Sequence, residues 1–118
     1  MFNCDKPDKE TFFVDLDGTL CKFNRDPENV PDEMIDSVWH FVLDQYRKGN
    51  YIVITTARSK AHMKYFFRWT GIDSKMFHAI ITDLPRLCRT VINDHVMGGD
   101  PLAAAINLVR NEGLRSMS

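Results

Sequence analysis

Apolar residues fall along the chain in short β-prone runs that alternate with sets at helical spacing. Thr11 to Leu16 is an apolar strand that ends in the acidic turn Asp15-Leu16-Asp17-Gly18. Residues 21–30 are polar, contain Pro27 and read as a loop or small hairpin. Pro31-Asp32-Glu33 reads as the opening of a helix, with a first-turn proline and acids at the positive end. Met34, Ile35, Val38, Phe41, Val42 and Tyr46 supply its inner face, and Gly49 is placed to end it. Tyr51 to Thr55 is apolar almost throughout, as a strand buried on both faces should be. Ser59 is placed to cap a second helix with Met63, Phe66, Phe67 and Thr70 inward, and Gly71 to terminate it. Phe77 to Thr82 reads as a third strand, Leu84 to Arg89 as a connection, and Thr90 to Asn93 as a fourth strand ending on Asp94. Asp100-Pro101 then opens a last helix from Leu102 to about Asn111, followed by Gly113.

Strands alternating with helices imply an α/β fold: a three-layer, Rossmann-like parallel sheet with helices on both faces. A chain of 118 residues fits a single domain, 1–118. Ligands of such sheets bind beyond the carboxyl ends of the strands. That rule directs attention to Asp15 to Thr19, Thr55 to Arg58, Asp83 to Arg89 and Asn93 to Asp100.

Composition changes this picture little. The apolar share of 44 % and charged share of 26 % are those of an ordinary globular domain. A formal net charge of −1 argues against broad electrostatic capture of nucleic acid or anionic membrane. The sequence has no apolar run long enough to span a bilayer, and Met1 to Lys6 lacks a signal pattern, so a cytoplasmic location is expected. Cys4, Cys21 and Cys88 are odd in number and widely spaced, which points to reduced thiols. His40, His62, His78 and His95 show no ligand spacing. Lys60, Lys64 and Arg68 form one stripe on the second helix, which reads as a solvated face.

The chemistry starts at Asp15 and Asp17. If the chain stays extended there, the two carboxylates point the same way. Like charges at the mouth of a buried strand repel unless a cation or a shared proton compensates, and a hard divalent cation suits oxygen ligands. Gly18 lets the chain turn sharply and approach an anion closely. A solvated acidic turn is the other reading of the same residues.

Val14-Asp15-Leu16-Asp17-Gly18-Thr19-Leu20 resembles the first signature of the haloacid dehalogenase superfamily, in its phosphatase branch. Ile52-Val53-Ile54-Thr55-Thr56-Ala57-Arg58 resembles its second signature, and Val91-Ile92-Asn93-Asp94 its fourth, in the family's order. The resemblance implies that Asp15 attacks phosphorus to form an aspartyl-phosphate. It implies that Asp17 protonates the leaving alcohol and then activates water. Mg2+ would be held by Asp15, the main-chain carbonyl of Asp17 and Asp94. Thr56 would bond a phosphate oxygen, and Gly18 would lie close to the phosphate. Arg58 would either reach phosphate or act as a salt-bridging residue behind the site.

The sequence departs from the family where a lysine usually precedes the fourth signature. Arg86 is the best-placed substitute, because it follows the third strand and Pro85; Arg89 and Lys75 are the alternatives. Asn93 replaces one of two adjacent acids. Neither insertion point has room for a cap domain, which implies an open site. The expected partner is a phosphorylated small molecule, a sugar phosphate or a nucleotide, with self-association possible and no membrane. A polynucleotide end, or phosphate binding without turnover in an assembly module, are the alternatives.

Overall fold

A computed structural model describes residues 9–92 and 105–114 of the chain. Strand β1 is Thr11–Asp15, β2 is Tyr51–Thr55 and β3 is Ala79–Ile81. They pair in parallel in the order β1-β2-β3, with Val14 opposite Ile54 and Ile54 opposite Ile80. Helix α1 is Asp36–Arg47 and α2 is Lys60–Thr70, and a 3-10 turn at Ser74–Met76 leads into β3. The α/β reading with a parallel, Rossmann-like sheet therefore holds.

Both helices pack on one face of the sheet. Ile52 and Ile54 of β2 share a core with Val38 and Val42 of α1 and with Met63 and Phe66 of α2. Phe12 and Val14 of β1 join them, and the Phe12 ring meets Phe41 edge-on at 5.5 Å. Strand alternation then sends Phe13 to the opposite face, where it is 67 % exposed. Among the described residues that second face carries no helix.

Ser59 caps α2 as expected, its hydroxyl accepting from the His62 amide. Gly71 ends the helix in the left-handed region, at φ 72°. A Cβ there would meet nothing within 4 Å, so the cost of a side chain is conformational only. Gly71→Ala is expected to destabilise the fold by about 1–2 kcal/mol, and Gly71→Asn by less, as urea unfolding would measure.

Four expectations need correction. Helix α1 starts at Asp36, not at Pro31, because residues 31–35 run extended against the turn after β1. The Lys22 amide donates to the Glu33 carbonyl at 2.8 Å, the Ile35 amide to the Leu20 carbonyl at 2.9 Å, and Cys21 bridges Met34. The third strand is shorter than Phe77 to Thr82. The Phe77 amide closes the 3-10 turn, and Asp83, at φ 59°, turns the chain so that its amide reaches the Arg58 carbonyl. Thr90 to Ile92 form no strand, and Ile92 is 94 % exposed; Asn93 and Asp94 lie outside the described residues. Residues 105–111 are not helical either. Tertiary anchors override helix propensity there: Leu108 packs against the core and the Asn111 amide bonds the Gly18 carbonyl at 2.8 Å.

Candidate active site

The turn after β1 is built on one carbonyl. Amides of Thr19, Leu20 and Cys21 all point to the Leu16 oxygen, at 3.2, 2.9 and 3.1 Å. Leu16, Leu20 and Cys21 are fully buried, so the turn is bolted into the core while its acids face outward. Gly18 adopts φ 86°, a conformation that favours glycine, and its amide donates to the Cys21 carbonyl at 2.7 Å. That amide is engaged inside the loop, and the stem of Arg110 lies above its Cα, 2.9 Å from where a Cβ would stand. Gly18 thus makes the turn but does not offer its N–H to an anion.

Asp15 sits at the carboxyl end of β1 in an open cleft of about 230 Å³. One of its carboxylate oxygens accepts from the Thr19 hydroxyl at 3.3 Å and the other from Arg89 Nη1 at 3.2 Å. Asp17, Thr56, Arg86 and Arg89 line the same cleft. Thr56 is buried; its oxygen accepts from the Arg58 amide at 3.0 Å, which leaves the hydroxyl proton to be donated. The chain end of β2 therefore presents Thr56, not Thr55, to Asp15.

Arg58 does not line the cleft. Its guanidinium is 3 % exposed and forks between two carboxylates. Nε and Nη2 donate to Asp17 at 2.9 and 2.7 Å, and Nη2 and Nη1 donate to Asp32 at 2.6 and 3.0 Å. Of its two expected roles the structure shows the salt-bridging one, behind the site. Desolvation alone would lower the guanidinium's proton affinity, but the hydrogen bonds and charges of Asp32 and Asp17 outweigh it and hold the group above its ordinary range.

Asp32 is the residue that sequence reasoning missed. Its side chain is fully buried and also accepts from Asn24 Nδ2 at 2.9 Å. An acid directly after Pro31 looks like a first-turn helix acid, and only a buried cation elsewhere marks it as a partner. Arg110 was missed as well, since the segment that carries it reads as helix.

Asp17, Cys21 and Asp32 bring ligand atoms within 4.8 Å of one another. Arg58 already fills the space between the two acids, with Nη2 3.9 Å from Cys21 Sγ. Burial, then the charges of Asp17 and Asp32, push the Cys21 thiol well above its ordinary value despite Arg58. A neutral thiol beside a guanidinium does not suit a hard cation. Oxygen donors at the cleft side, Asp15 first, do suit one. Asp94, the expected third ligand, lies outside the described residues, as do His95 and Asp100.

A family model for haloacid dehalogenase-like hydrolase matches residues 12–111. The chain belongs to this family. The match takes in both acids of the first turn, the Thr56 strand end and Arg110. The match supports hydrolysis as the activity of this chain. No curated protein and no solved structure matches the chain. Among the described residues, no helix of this haloacid dehalogenase-like protein is long and apolar enough to cross a membrane.

Proposed function

We propose that the chain is a magnesium-dependent phosphomonoester hydrolase that works through an aspartyl-phosphate on Asp15. The observation that carries this reading is the meeting of two carboxylates, Asp15 and Asp17, with Thr56 and three arginines, Arg86, Arg89 and Arg110, in a single open cleft. A cleft that only bound cations would not be lined by arginines, and one that only bound anions would not centre on a carboxylate.

In the first half-reaction an Asp15 oxygen forms a bond to phosphorus while the bond from phosphorus to the substrate oxygen breaks. Asp17 delivers a proton to the departing alcohol. In the second, Asp17 takes a proton from water, which attacks phosphorus, frees inorganic phosphate and regenerates Asp15. Arg58 contributes by position: both Asp17 oxygens accept from it beside the cleft, and to carry the proton one of them leaves Arg58 and turns to the leaving group. Thr56 donates its hydroxyl to a phosphoryl oxygen, and Arg89, now on Asp15, shifts to the phosphoryl group as it arrives. Magnesium, held by Asp15, the Asp17 carbonyl and Asp94, would screen the repulsion between carboxylate and phosphate.

The small, open cleft favours a sugar phosphate or nucleotide over a bulkier partner. The test is phosphate release from an aryl phosphate and a panel of sugar and nucleotide monophosphates, with magnesium. Turnover is expected with magnesium and loss of it with EDTA, restored by added magnesium. A folded protein that turns over none of the panel in the presence of magnesium would sink the reading.

A further inference from the structure

Two arginines of the cleft are not accounted for by a single phosphate. Arg89 is paired with Asp15, and Arg58 is paired with Asp17 and Asp32. Arg86 and Arg110 are different: among the described residues neither makes an ion pair with a carboxylate. Both guanidinium groups lie against the ring of Phe23, at 5.9 Å and 4.8 Å from its centre. Cation–π contact of this kind orients an arginine without neutralising it.

Arg110 is also held on purpose-built anchors. On one side Leu108 packs against the core. On the other, Asn111 is pinned twice, its amide to the Gly18 carbonyl and its side-chain oxygen to the Phe23 amide, both at 2.8 Å. Gly113 then fits against Ile35 and Ser37 where a Cβ would stand 2.6 and 2.5 Å from side-chain atoms, and the Leu114 amide donates to the Ser37 hydroxyl. An exposed arginine between such pins is fixed at the cleft mouth over Gly18, with no carboxylate partner among the described residues.

We propose that Arg86, Phe23 and Arg110 form a second anion site, and that the substrate carries a second phosphate besides the one transferred to Asp15. The proposal rests on the phosphatase reading for the place of the first phosphate. Charge supports it. Asp15, Asp17, Asp32 and the proposed ligand Asp94 match Arg58, Arg86, Arg89 and Arg110 in charge, so bound Mg2+ would leave the site positive. A substrate with a second dianionic group meets that positive charge, and a guanidinium receives a phosphate by parallel hydrogen bonds.

Fructose 1,6-bisphosphate and fructose 6-phosphate form a matched probe pair. The full-length protein with magnesium is expected to prefer the bisphosphate in kcat/KM. Arg110→Met keeps an apolar stem over Gly18 and is expected to lower that preference roughly 10–100-fold, the value of one charged hydrogen-bonded contact. Arg110→Lys should retain part of it. Equal losses on both substrates would assign Arg110 to the transferred phosphate and overturn the proposal, as would a wild-type protein with no preference. Calorimetric binding to the Asp15→Asn protein separates the two readings. If nothing is hydrolysed but the bisphosphate binds more tightly and Arg110→Met removes the difference, the second site stands and the phosphatase falls. If the two ligands bind alike, the second site falls whatever the activity.

Discussion

Asp15→Asn is expected to abolish phosphate release, with kcat falling on the order of 10⁴-fold or more, as loss of a nucleophile does elsewhere. The amide is nearly isosteric and still accepts from the Thr19 hydroxyl, but it cannot form an acyl phosphate. Its effect on folding should be slight. The pair between Asp15 and Arg89 is 40 % exposed on both sides, and such pairs contribute about 0–1 kcal/mol. The pair of measurements is therefore diagnostic: initial rates on an aryl phosphate, and a thermal unfolding curve of the same sample. A variant that keeps a tenth of wild-type turnover would remove Asp15 from the nucleophile's role. A variant that also unfolds would point to a structural role for the carboxylate, which its exposure argues against.

The strand-end acids were legible in the sequence because their signal is local. Five residues of β1 end on Asp15, the next apolar residue, Leu16, enters the core, and Gly18 takes the positive φ that its lack of a side chain permits. Helix α2 was legible for the same reason, since its cap, its inner face and its terminating glycine all lie within the segment. Long-range pairing was not. The side chain of Asp32 reaches Arg58 across 26 residues of sequence, and Asn111 reaches Phe23 across 88. Nothing within either segment encodes the partner, so residues 31–35 read as a helix start and residues 105–111 as a helix. Arg58 shows the same limit at the level of function. A strand-end arginine beside a phosphate-binding threonine suggests phosphate contact, but its side chain turns inward, where Asp32 completes its coordination.

The arginines after β3 illustrate a third case. Arg86 and Arg89 both line the cleft, and the structure divides them by partner: Arg89 takes Asp15, Arg86 takes the face of Phe23. Sequence order alone ranks Arg86 first because it follows the strand more directly. Loop geometry separates the two, since the turn at Asp83 carries the connection back across the carboxyl ends of β2 and β1. A cation needed at a fixed place can be supplied from several positions of such a loop, which is why a lysine's usual position is a weak guide to its substitute.

The largest stability effect is expected at Asp32. Asp32→Asn leaves the buried Arg58 fork with an amide where it had a carboxylate: one oxygen accepts, but the NH₂ group faces guanidinium N–H groups, donor against donor. Breaking a buried pair from one side costs up to about 3–5 kcal/mol, and here the buried guanidinium is left with Asp17 as its one carboxylate among the described residues. For a domain of this size that lowers the unfolding midpoint by on the order of 10 °C. The control is Glu33→Gln. Glu33 pairs with Lys22 at 2.6 Å, a distance as short as any in the Arg58 fork, yet both side chains are more than half exposed. Exposure, not length, decides the value of an ion pair, so Glu33→Gln is expected to cost no more than about 1 kcal/mol. Arg58 adds no slope with pH across the neutral range. Its proton affinity is raised above the ordinary guanidinium value, so its stabilisation is complete below that ordinary value and is lost only as pH climbs through the raised one. Urea unfolding of both variants near neutral pH, followed by Trp39 and Trp69 fluorescence, measures the contrast. Equal midpoints for the two variants would mean that the Asp17–Arg58–Asp32 chain does not hold the first turn in place. Asp17 would then need some other group to fix it beside the cleft.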